Sequence, residues 1–486
     1  MKKLCLLLML VLLLTSCGTA QGGQGADASS GSGKKDQASE SAEAGTASPA
    51  SLVDPASLSP EAGIFSKKDL KSDYDASSAG KITWDENAQT AGGGMTAEGG
   101  RVLITEEGTY ILSGSSGNGQ VIVEIDKESK VQLVLAGVTL KNPAGPCILV
   151  RSADKVIVTL APGSTNVLSD GGAAYAEDEK VSGVDAVIYA ADDLAINGKG
   201  SLSVKAGYKH GIFTKNDLTI TGGTIDVTAA DRGLTGKDSI KIREAEITVN
   251  AGDDALQTSR LTKAGKGFVY IESGDLTLTS GDDAIHAASA LVIAGGTVDI
   301  PKCKEGLEGA VIEIRAGEVR IKATDDGINA SYETADGESD KVQADTYIGI
   351  LGGTVSVDAN GDGIDANGSI RFAGGSVKVE GSVNDKFDAL DPGTEMTADG
   401  GTVLAFSAKA PEIPFKDGQT QPFLSETMDQ AVPAGTVVTV EDASGAVLIS
   451  HTAQKEFRHI VFSAPELAPG TYTIRAGNAE KTVRIG

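Results

Sequence analysis

Short apolar strands recur through the middle of this 486-residue chain with a period near 22 residues. One unit, residues 217–236, reads DLTITGGTIDVTAADRGLTG: two alternating strands joined at Gly222-Gly223, a polar corner, and a third strand at Leu234. The apolar residue equivalent to Leu234 recurs at Leu256, Ile285, Leu307, Ile328 and Ile364, and the successive steps are 22, 29, 22, 21 and 36 residues. The two longer steps place surface loops over 260–267 and 332–345. In the last repeat the pattern predicts Phe387 at this position.

A repeat of this length with three strands is typical of a parallel β-helix. Helical repeats need apolar spacings of three and four, and leucine-rich repeats need a helical stretch; the sequence has neither pattern. The crossovers between parallel strands should be right-handed. We therefore predict an all-β protein: a right-handed, three-strand-per-coil parallel β-helix over 76–400. The apolar phase changes near Gly401, which predicts a C-terminal antiparallel β cap over 401–486 that covers open strand edges.

The N-terminus predicts export. Two lysines precede an apolar run that ends in Leu14-Thr15-Ser16-Cys17, a quartet that resembles a bacterial lipobox. Residues 1–17 are therefore predicted to be a lipoprotein signal peptide, with Cys17 the lipidated residue. Residues 18–75 are predicted to be a disordered tether, because their N-terminal part has almost nothing to bury. The expected location is the bacterial cell surface, with the protein held at the membrane by this anchor.

The chain is acidic, with a formal net charge of −25. Such a surface makes nucleic acid an unsuitable partner and divalent cations a suitable one. Cys147 and Cys303 are far apart in the repeat order, so we expect them to be free and buried.

Acidic residues recur just before and just after the third strand of each repeat. Equivalent positions on adjacent coils lie ~4.8 Å apart, and Ca²⁺ takes oxygen ligands at about 2.3–2.6 Å, so one ion spans two coils. Without an ion the same column would be repulsive. Asp and Asn also favour turns, which is the simpler explanation for any one of them. The predicted Ca²⁺ ligands are Asp253, Asp254, Asp282, Asp283, Asp325, Asp326, Asn329, Asp362, Asp365, Asp385 and Asp388. Lys304 interrupts the column and predicts an internal pair with Glu305.

Several stretches resemble the family of carbohydrate-binding domain-containing proteins. They are residues 108–114, 217–226, 253–256, 282–285, 325–328, 361–366 and 457–465. The resemblance covers about residue 80 to the end. It implies a secreted parallel β-helix lipoprotein with calcium sites and affinity for plant-type polysaccharides, including cellulose and acidic pectin. The Asp doublet of that family is broken at 230–232 and 304–305, which weakens the case for calcium at those two coils.

Three functions remain open from the sequence. The first is non-catalytic binding of acidic glycans such as pectin through Ca²⁺; aromatic residues are only 4% of the chain, which disfavours a flat stacking surface for cellulose. The second is a calcium-dependent polysaccharide lyase, whose base would come from Lys215, Arg232 or Lys237. These cations are more simply explained as surface charges, and no catalytic residue is assigned. The third is a structural surface adhesin in which calcium only rigidifies the fold.

Overall fold

The computed structural model of the protein describes residues 52–332, 341–416 and 419–485. Within them the regular structure is β-strand, apart from 3-10 turns at Pro55–Ser57 and Pro60–Ala62. The alternation in the sequence is the cause: in strand Thr224–Ala229 the apolar Ile225 and Val227 are buried, and the polar residues between them are exposed. The all-β prediction is confirmed.

Most strands pair in parallel, one repeat apart, and form three columns. The first column contains β1 (Gly80–Asp85), β5 (Gly108–Ser116), β7 (Lys130–Asn142), β9 (Lys155–Leu160), β12 (Asp193–Gly198), β15 (Asp217–Ile220), β18 (Ser239–Ile242), β21 (Phe268–Ile271), β23 (Ile285–Ile293), β25 (Leu307–Ile314), β28 (Tyr347–Ile350), β31 (Ser369–Glu380) and β33 (Glu395–Ser407).

The second column is formed by the C-terminal parts of β1, β5, β7, β31 and β33 and by eight separate strands. These are β10 (Thr165–Asp170), β13 (Ser201–Ala206), β16 (Thr224–Ala229), β19 (Glu246–Ala251), β22 (Asp275–Thr279), β24 (Thr297–Cys303), β26 (Glu318–Ala323) and β29 (Thr354–Ala359).

The third column includes the N-terminal parts of β23 and β25. Its other strands are β4 (Arg101–Ile104), β6 (Gln120–Glu124), β8 (Ile148–Ser152), β11 (Ala186–Ala190), β14 (His210–Thr214), β17 (Leu234–Gly236), β20 (Leu256–Gln257), β27 (Ile328–Ala330), β30 (Ile364–Ala366) and β32 (Leu390–Pro392). One passage of the chain through the three columns is called a coil below.

The strand register confirms the repeat positions with one correction. Leu234, Leu256, Ile285, Leu307, Ile328 and Ile364 are paired in succession in the third column. Ile364 then pairs with Leu390, so the prediction of Phe387 is wrong. The corner before β32 is three residues longer than the apolar count suggested. This moves Asp388 to two positions before the apolar reference residue, and Asp391 to one position after it.

Aliphatic side chains from all three columns form a continuous core from Ile82 to Val461. The largest buried side chains of this core include Leu112, Leu133 and Phe372, none of which is exposed to solvent. Each stacked coil adds buried aliphatic side chains to the core, so a chain with few aromatic residues still has a large core.

Antiparallel pairing is found at both ends of the stacked strands. At the N-terminal end β2 (Asn87–Ala91) pairs with β1, and β3 (Met95–Glu98) pairs with β4. At the C-terminal end β37 (Phe457–Ser463) pairs with β33 and β34 (Phe423–Val432). A separate four-stranded sheet follows, with β35 (Val437–Asp442), β36 (Val447–Thr452), β38 (Gly470–Ala476) and β39 (Ala479–Ile485). A second apolar cluster lies between this sheet and β33, β34 and β37.

The segment 52–73, called the strap below, runs along the outer face of the first column. Val53, Leu58 and Phe65 pack against Tyr270 and its apolar neighbours. Further along, the strap carbonyls accept hydrogen bonds from one side chain after another: Arg315 to Pro55 and Leu58, Thr221 to Asp69, and Asn197 to Asp69 and Lys71. Asp69 also lies 2.9 Å from Lys155 Nζ. The disordered tether predicted for 18–75 is therefore wrong for residues 52–73, which have apolar side chains to bury; residues 18–51 lie outside the described part of the chain.

Cys147 and Cys303 are free and buried, as predicted. Among the described residues, no helix has the length and apolar character needed to cross a bilayer.

Candidate metal centre

The corner between the second and third columns forms a regular row along the stack. At this corner, the residue that directly precedes the reference residue of one coil donates its backbone N–H to a backbone carbonyl of the next coil. The accepting carbonyls belong to Asp254, Asp283, Glu305, Asp326, Asp362 and Asp388. Space here is tight: a Cβ on Gly327 would lie 2.2 Å from Val357 Cγ1 and 2.5 Å from the Gly363 carbonyl oxygen. We call this line of side chains the acidic corner row.

The first group in the row is Asp253, Asp254 and Asp282, whose ligand atoms lie within 4.8 Å of one another. Two cations already contact it. Arg232 Nε lies 3.1 Å from Asp253 Oδ2 and 3.7 Å from Asp254 Oδ2, and Lys304 Nζ lies 3.2 Å from Asp282 Oδ1. Burial raises the pKa of Asp254 to about 6, although nearby cations oppose it. The negative charge of this group is thus partly balanced by the protein itself.

The second group contains a histidine. His286 Nδ1 lies 2.6 Å from Glu308 Oε2 and 3.1 Å from Asp283 Oδ2. Burial alone would lower the pKa of His286, but the two carboxylates raise it well above its usual value. The raised pKa favours the protonated form of His286, which can balance the negative charge between these two coils. The predicted pair between Lys304 and Glu305 is confirmed, with Lys304 Nζ 3.2 Å from Glu305 Oε1. Two basic side chains, His286 and Lys304, therefore contact carboxylates in this part of the row.

The third group is Asp326, Asp362 and Asp365, again with ligand atoms within 4.8 Å of one another. Each side chain is half-buried. Burial, followed by the mutual repulsion of these carboxylates, raises the pKa of Asp326 to about 8 and that of Asp365 to about 8. The pKa of Asp362 rises to about 7, mainly because of burial. No Lys, Arg or His of the described residues is recorded within ion-pair distance of these carboxylates, in contrast to the first two groups.

Three of the aspartates two positions before the reference residue, Asp254, Asp326 and Asp362, accept a backbone N–H from the next coil through one oxygen. Asp283 N–H bonds to Asp254 Oδ1 at 3.2 Å, Asp362 N–H bonds to Asp326 Oδ1 at 2.6 Å, and Asp388 N–H bonds to Asp362 Oδ1. These bonds orient the three carboxylates. The second oxygen of Asp254 accepts a hydrogen bond from Gln257 Nε2 at 2.7 Å, whereas, among the described residues, the structure gives no such bond to Oδ2 of Asp326 or Asp362. Carboxylate oxygens held close together are ligands that Ca²⁺ prefers.

The other predicted ligands lie outside the three groups. Asn329 donates to Glu305 Oε2 at 3.1 Å, which uses its amide as a donor. Asp385 is exposed. Asp388 is 2% exposed and lies 3.3 Å from Lys409 Nζ, so this coil too has a protein cation. Asp325 is in the row but is not part of a group, and Cys17 lies outside the described residues.

Sequence reasoning omitted two members of the groups. His286 and Glu308 occupy the position one after the reference residue, the same column as Asp365, but neither was among the predicted ligands. The signal was available in the register, because Glu308 pairs directly with His286 in neighbouring coils.

The three cations considered as catalytic bases are all engaged. Lys215 Nζ lies 6.0 Å from the centroid of the Tyr189 ring, and Lys237 Nζ lies 5.9 Å from that of Phe213. Arg232 pairs with Asp253 as described above. Each position is explained by cation–π or ion-pair contacts.

The described residues thus form an all-β repeat fold with a stacked row of carboxylates at one corner. The chain belongs to the carbohydrate-binding domain-containing protein family, whose family model matches residues 98–389.

Two known proteins are similar to the chain. A carbohydrate-binding domain-containing protein of Acetivibrio thermocellus is 41% identical over 151 residues, which cover 31% of this chain and 53% of the relative; the chain thus spans about half the length of this curated relative. The solved structure of a polysaccharide lyase-like protein from C. thermocellum, a gadolinium derivative, is 33% identical with a TM-score of 0.45, covering 51% of this chain and 95% of that one.

Proposed function

We propose that this protein binds polysaccharide at the bacterial cell surface through Ca²⁺ held in the acidic corner row, without cleaving it. The preferred ligand is an acidic glycan such as pectin, with cellulose as a second polysaccharide to test. In this proposal the three parallel columns close into a right-handed β-helix, and the antiparallel strands after residue 401 cap its C-terminal end. The third acidic group, Asp326, Asp362 and Asp365, is the observation that carries it.

Charge balance favours an ion at this group. Three half-buried carboxylates within 4.8 Å of one another, with no protein cation among their described contacts, are costly to keep ionised together. At the first two groups Arg232, Lys304 and His286 supply the positive charge. At the third group the protein cation that acts is Lys409, which pairs with Asp388 and lowers only the pKa of Asp362, so a cation from solution would supply the rest of the charge. Oxygen-only ligands select a hard cation, and Ca²⁺ is the one whose size suits the coil spacing.

The ion would also provide the link to glycan. Because Asp362 and Asp365 remain half-exposed, a Ca²⁺ bound there keeps coordination positions open to solvent. The carboxylate and hydroxyl oxygens of a uronic acid can fill those positions. An extended glycan that lies along the corner could contact this ion through one uronic acid and the rest of the corner through its neighbouring sugars.

The contacts of the three candidate lyase bases favour binding without catalysis. A base for β-elimination must reach the acidic proton of the bound sugar. Lys215 and Lys237 instead lie over aromatic rings, and Arg232 pairs with Asp253. Anchoring through Cys17 completes the proposal, with residues 18–51 linking the lipid to the folded body. Retention of polysaccharide separates this function from that of a purely structural adhesin.

The test is retention of the protein on polygalacturonate and on cellulose, with and without calcium, while the absorbance of unsaturated products is followed. We expect calcium-dependent retention and no product. The Asp326→Asn variant should lose retention, and Asp385→Asn, an exposed carboxylate outside the three groups, should keep it. Product formation would make the protein a lyase; absence of both signals would leave the adhesin.

A further inference from the structure

Two half-exposed tyrosines lie at the N-terminal end of the corner row. The rings of Tyr175 and Tyr208 have centroids 5.0 Å apart and are inclined by 40°. Tyr175 belongs to the connection between β10 and β11, and Tyr208 to the corner between β13 and β14. Most other large aromatic side chains are fully enclosed, for example Tyr189, Tyr270 and Phe372. Other tyrosines, such as Tyr74 and Tyr347, are also partly exposed, but among the ring pairs of the described residues this is the one in which neither member is buried.

A single buried carboxylate fixes both tyrosines. Asp170, which is 7% exposed, accepts the Tyr175 hydroxyl hydrogen at 2.8 Å and the Tyr208 backbone N–H at 3.1 Å through Oδ2. Its Oδ1 accepts the N–H groups of Gly172 and Gly207 at 2.9 and 2.8 Å. Four hydrogen bonds to one side chain hold the loop and the corner together. The rings are thus positioned before any ligand arrives, which lowers the entropy cost of binding.

The register places this pair in line with the acidic groups. In the third column Ile212 pairs with Leu234, and Leu234 pairs with Leu256. The corner that precedes Ile212 contains Tyr208, and the corner that precedes Leu256 contains Asp253. The two corners are two coils apart, or roughly 10 Å along the stack. A sugar chain lying along the corner would meet both.

We propose that Tyr175 and Tyr208 form a stacking subsite for a pyranose ring, at the N-terminal end of the glycan-binding corner. This inference rests on the proposed polysaccharide function and adds a second kind of contact to it. The C–H groups on one face of a pyranose carry slight positive charge, and the face of an aromatic ring is negative. The contact requires no metal ion. It also favours an oligosaccharide long enough to reach from the tyrosines to the acidic groups over a single sugar.

The test is the affinity of the protein for a long oligogalacturonate, measured by calorimetric titration in the presence of calcium. Replacement of Tyr208 by alanine should raise the dissociation constant by about 3–10-fold, the range expected for one aromatic contact. Tyr208→Phe should stay within about twofold of the wild-type value, because the ring is retained. Tyr74→Ala, which removes another half-buried surface tyrosine, is the matched control and should change nothing.

The outcomes separate the two claims. Wild-type affinity in Tyr208→Ala would overturn the subsite while leaving the acidic row as the glycan site. No binding by the wild-type protein would overturn the subsite and the proposed function together. If Tyr208→Ala lowers the melting temperature, Tyr175→Leu provides the second test, since it removes a ring from the loop and leaves the corner backbone intact. Weaker binding confined to short oligosaccharides would also contradict the inference.

Discussion

Replacement of Asp326 by asparagine distinguishes an ion site from a merely structural corner. The change keeps the shape of the side chain and retains Oδ1 as an acceptor for the Asp362 N–H. It removes one negative charge from the third acidic group. If the group is built for Ca²⁺, this variant should be more stable than the wild type without calcium and should lose most of the stabilisation that calcium gives.

The size of the effect follows from the pKa of Asp326, which is raised from 3.8 to about 8 by burial and by neighbouring carboxylates. Between these values the folded protein holds more protons than the unfolded chain, so without calcium its stability falls as the pH rises from about 4 to about 8. One pKa unit corresponds to about 1.4 kcal/mol, which sets a ceiling of roughly 6 kcal/mol. Because Asp362 and Asp365 share the shift and the structure relaxes, we expect Asp326→Asn to gain about 1–2 kcal/mol at pH 8.

Calcium should reverse this order. An ion at one hundred times its dissociation constant stabilises the folded state by about 2.7 kcal/mol. Differential scanning calorimetry at pH 5 and pH 8, with calcium or with chelator, measures all four states. We expect the wild type to gain more from calcium at pH 8 than at pH 5, and the variant to gain little at either. A variant that melts below the wild type in chelator at pH 8 would refute the reasoning.

Three other changes test separate parts of the structure. Lys304→Gln removes the cation beside Asp282 and Glu305, so the first acidic group should bind calcium more tightly in a calorimetric titration; unchanged affinity would argue against charge balance by the protein. Arg315→Ala removes two hydrogen bonds to the strap carbonyls at a cost of about 1–3 kcal/mol, and limited proteolysis should then cut residues 52–73 faster than in the wild type. Ile285→Ala empties a fully buried core position and should lower the free energy of unfolding by about 2–5 kcal/mol in urea; a loss below 1 kcal/mol would contradict the register.

The regular coils were predictable because their apolar side chains all point into the same core. Each alternating strand buries the same face as the strand one coil away, so the reference positions from Leu234 to Ile364 follow from spacing alone. The prediction of Phe387 was wrong because the corner before β32 is longer than those between Leu234 and Ile364. Phe387 is itself apolar and lies close to the expected spacing, so the apolar count selected it instead of Leu390.

The ordered strap could not be predicted from the apolar spacing for a different reason. Its backbone carbonyls accept hydrogen bonds from side chains more than 100 residues away in the sequence, such as Arg315, Thr221 and Asn197. Its composition resembles that of a linker, and only its few apolar residues, Val53 and Phe65 among them, indicate a surface to bury against.

The acidic row was predicted as a row, but not its division into groups. Sequence spacing places equivalent aspartates at the coil distance, and the structure brings Asp326, Asp362 and Asp365 together as that spacing implies. Which groups already have a cation depends on side-chain reach. Arg232 extends to the next coil, and His286 turns its Nδ1 towards Glu308, neither of which a period count reveals.

Calorimetric titration of calcium into the wild-type protein and into an Asp326→Asn, Asp365→Asn double variant tests the central claim most directly. We predict a calcium-binding heat in the wild type that is lost in the double variant, with both proteins folded by circular dichroism. An equal heat in the two proteins would place calcium elsewhere, and no heat in either would contradict calcium binding by the third acidic group.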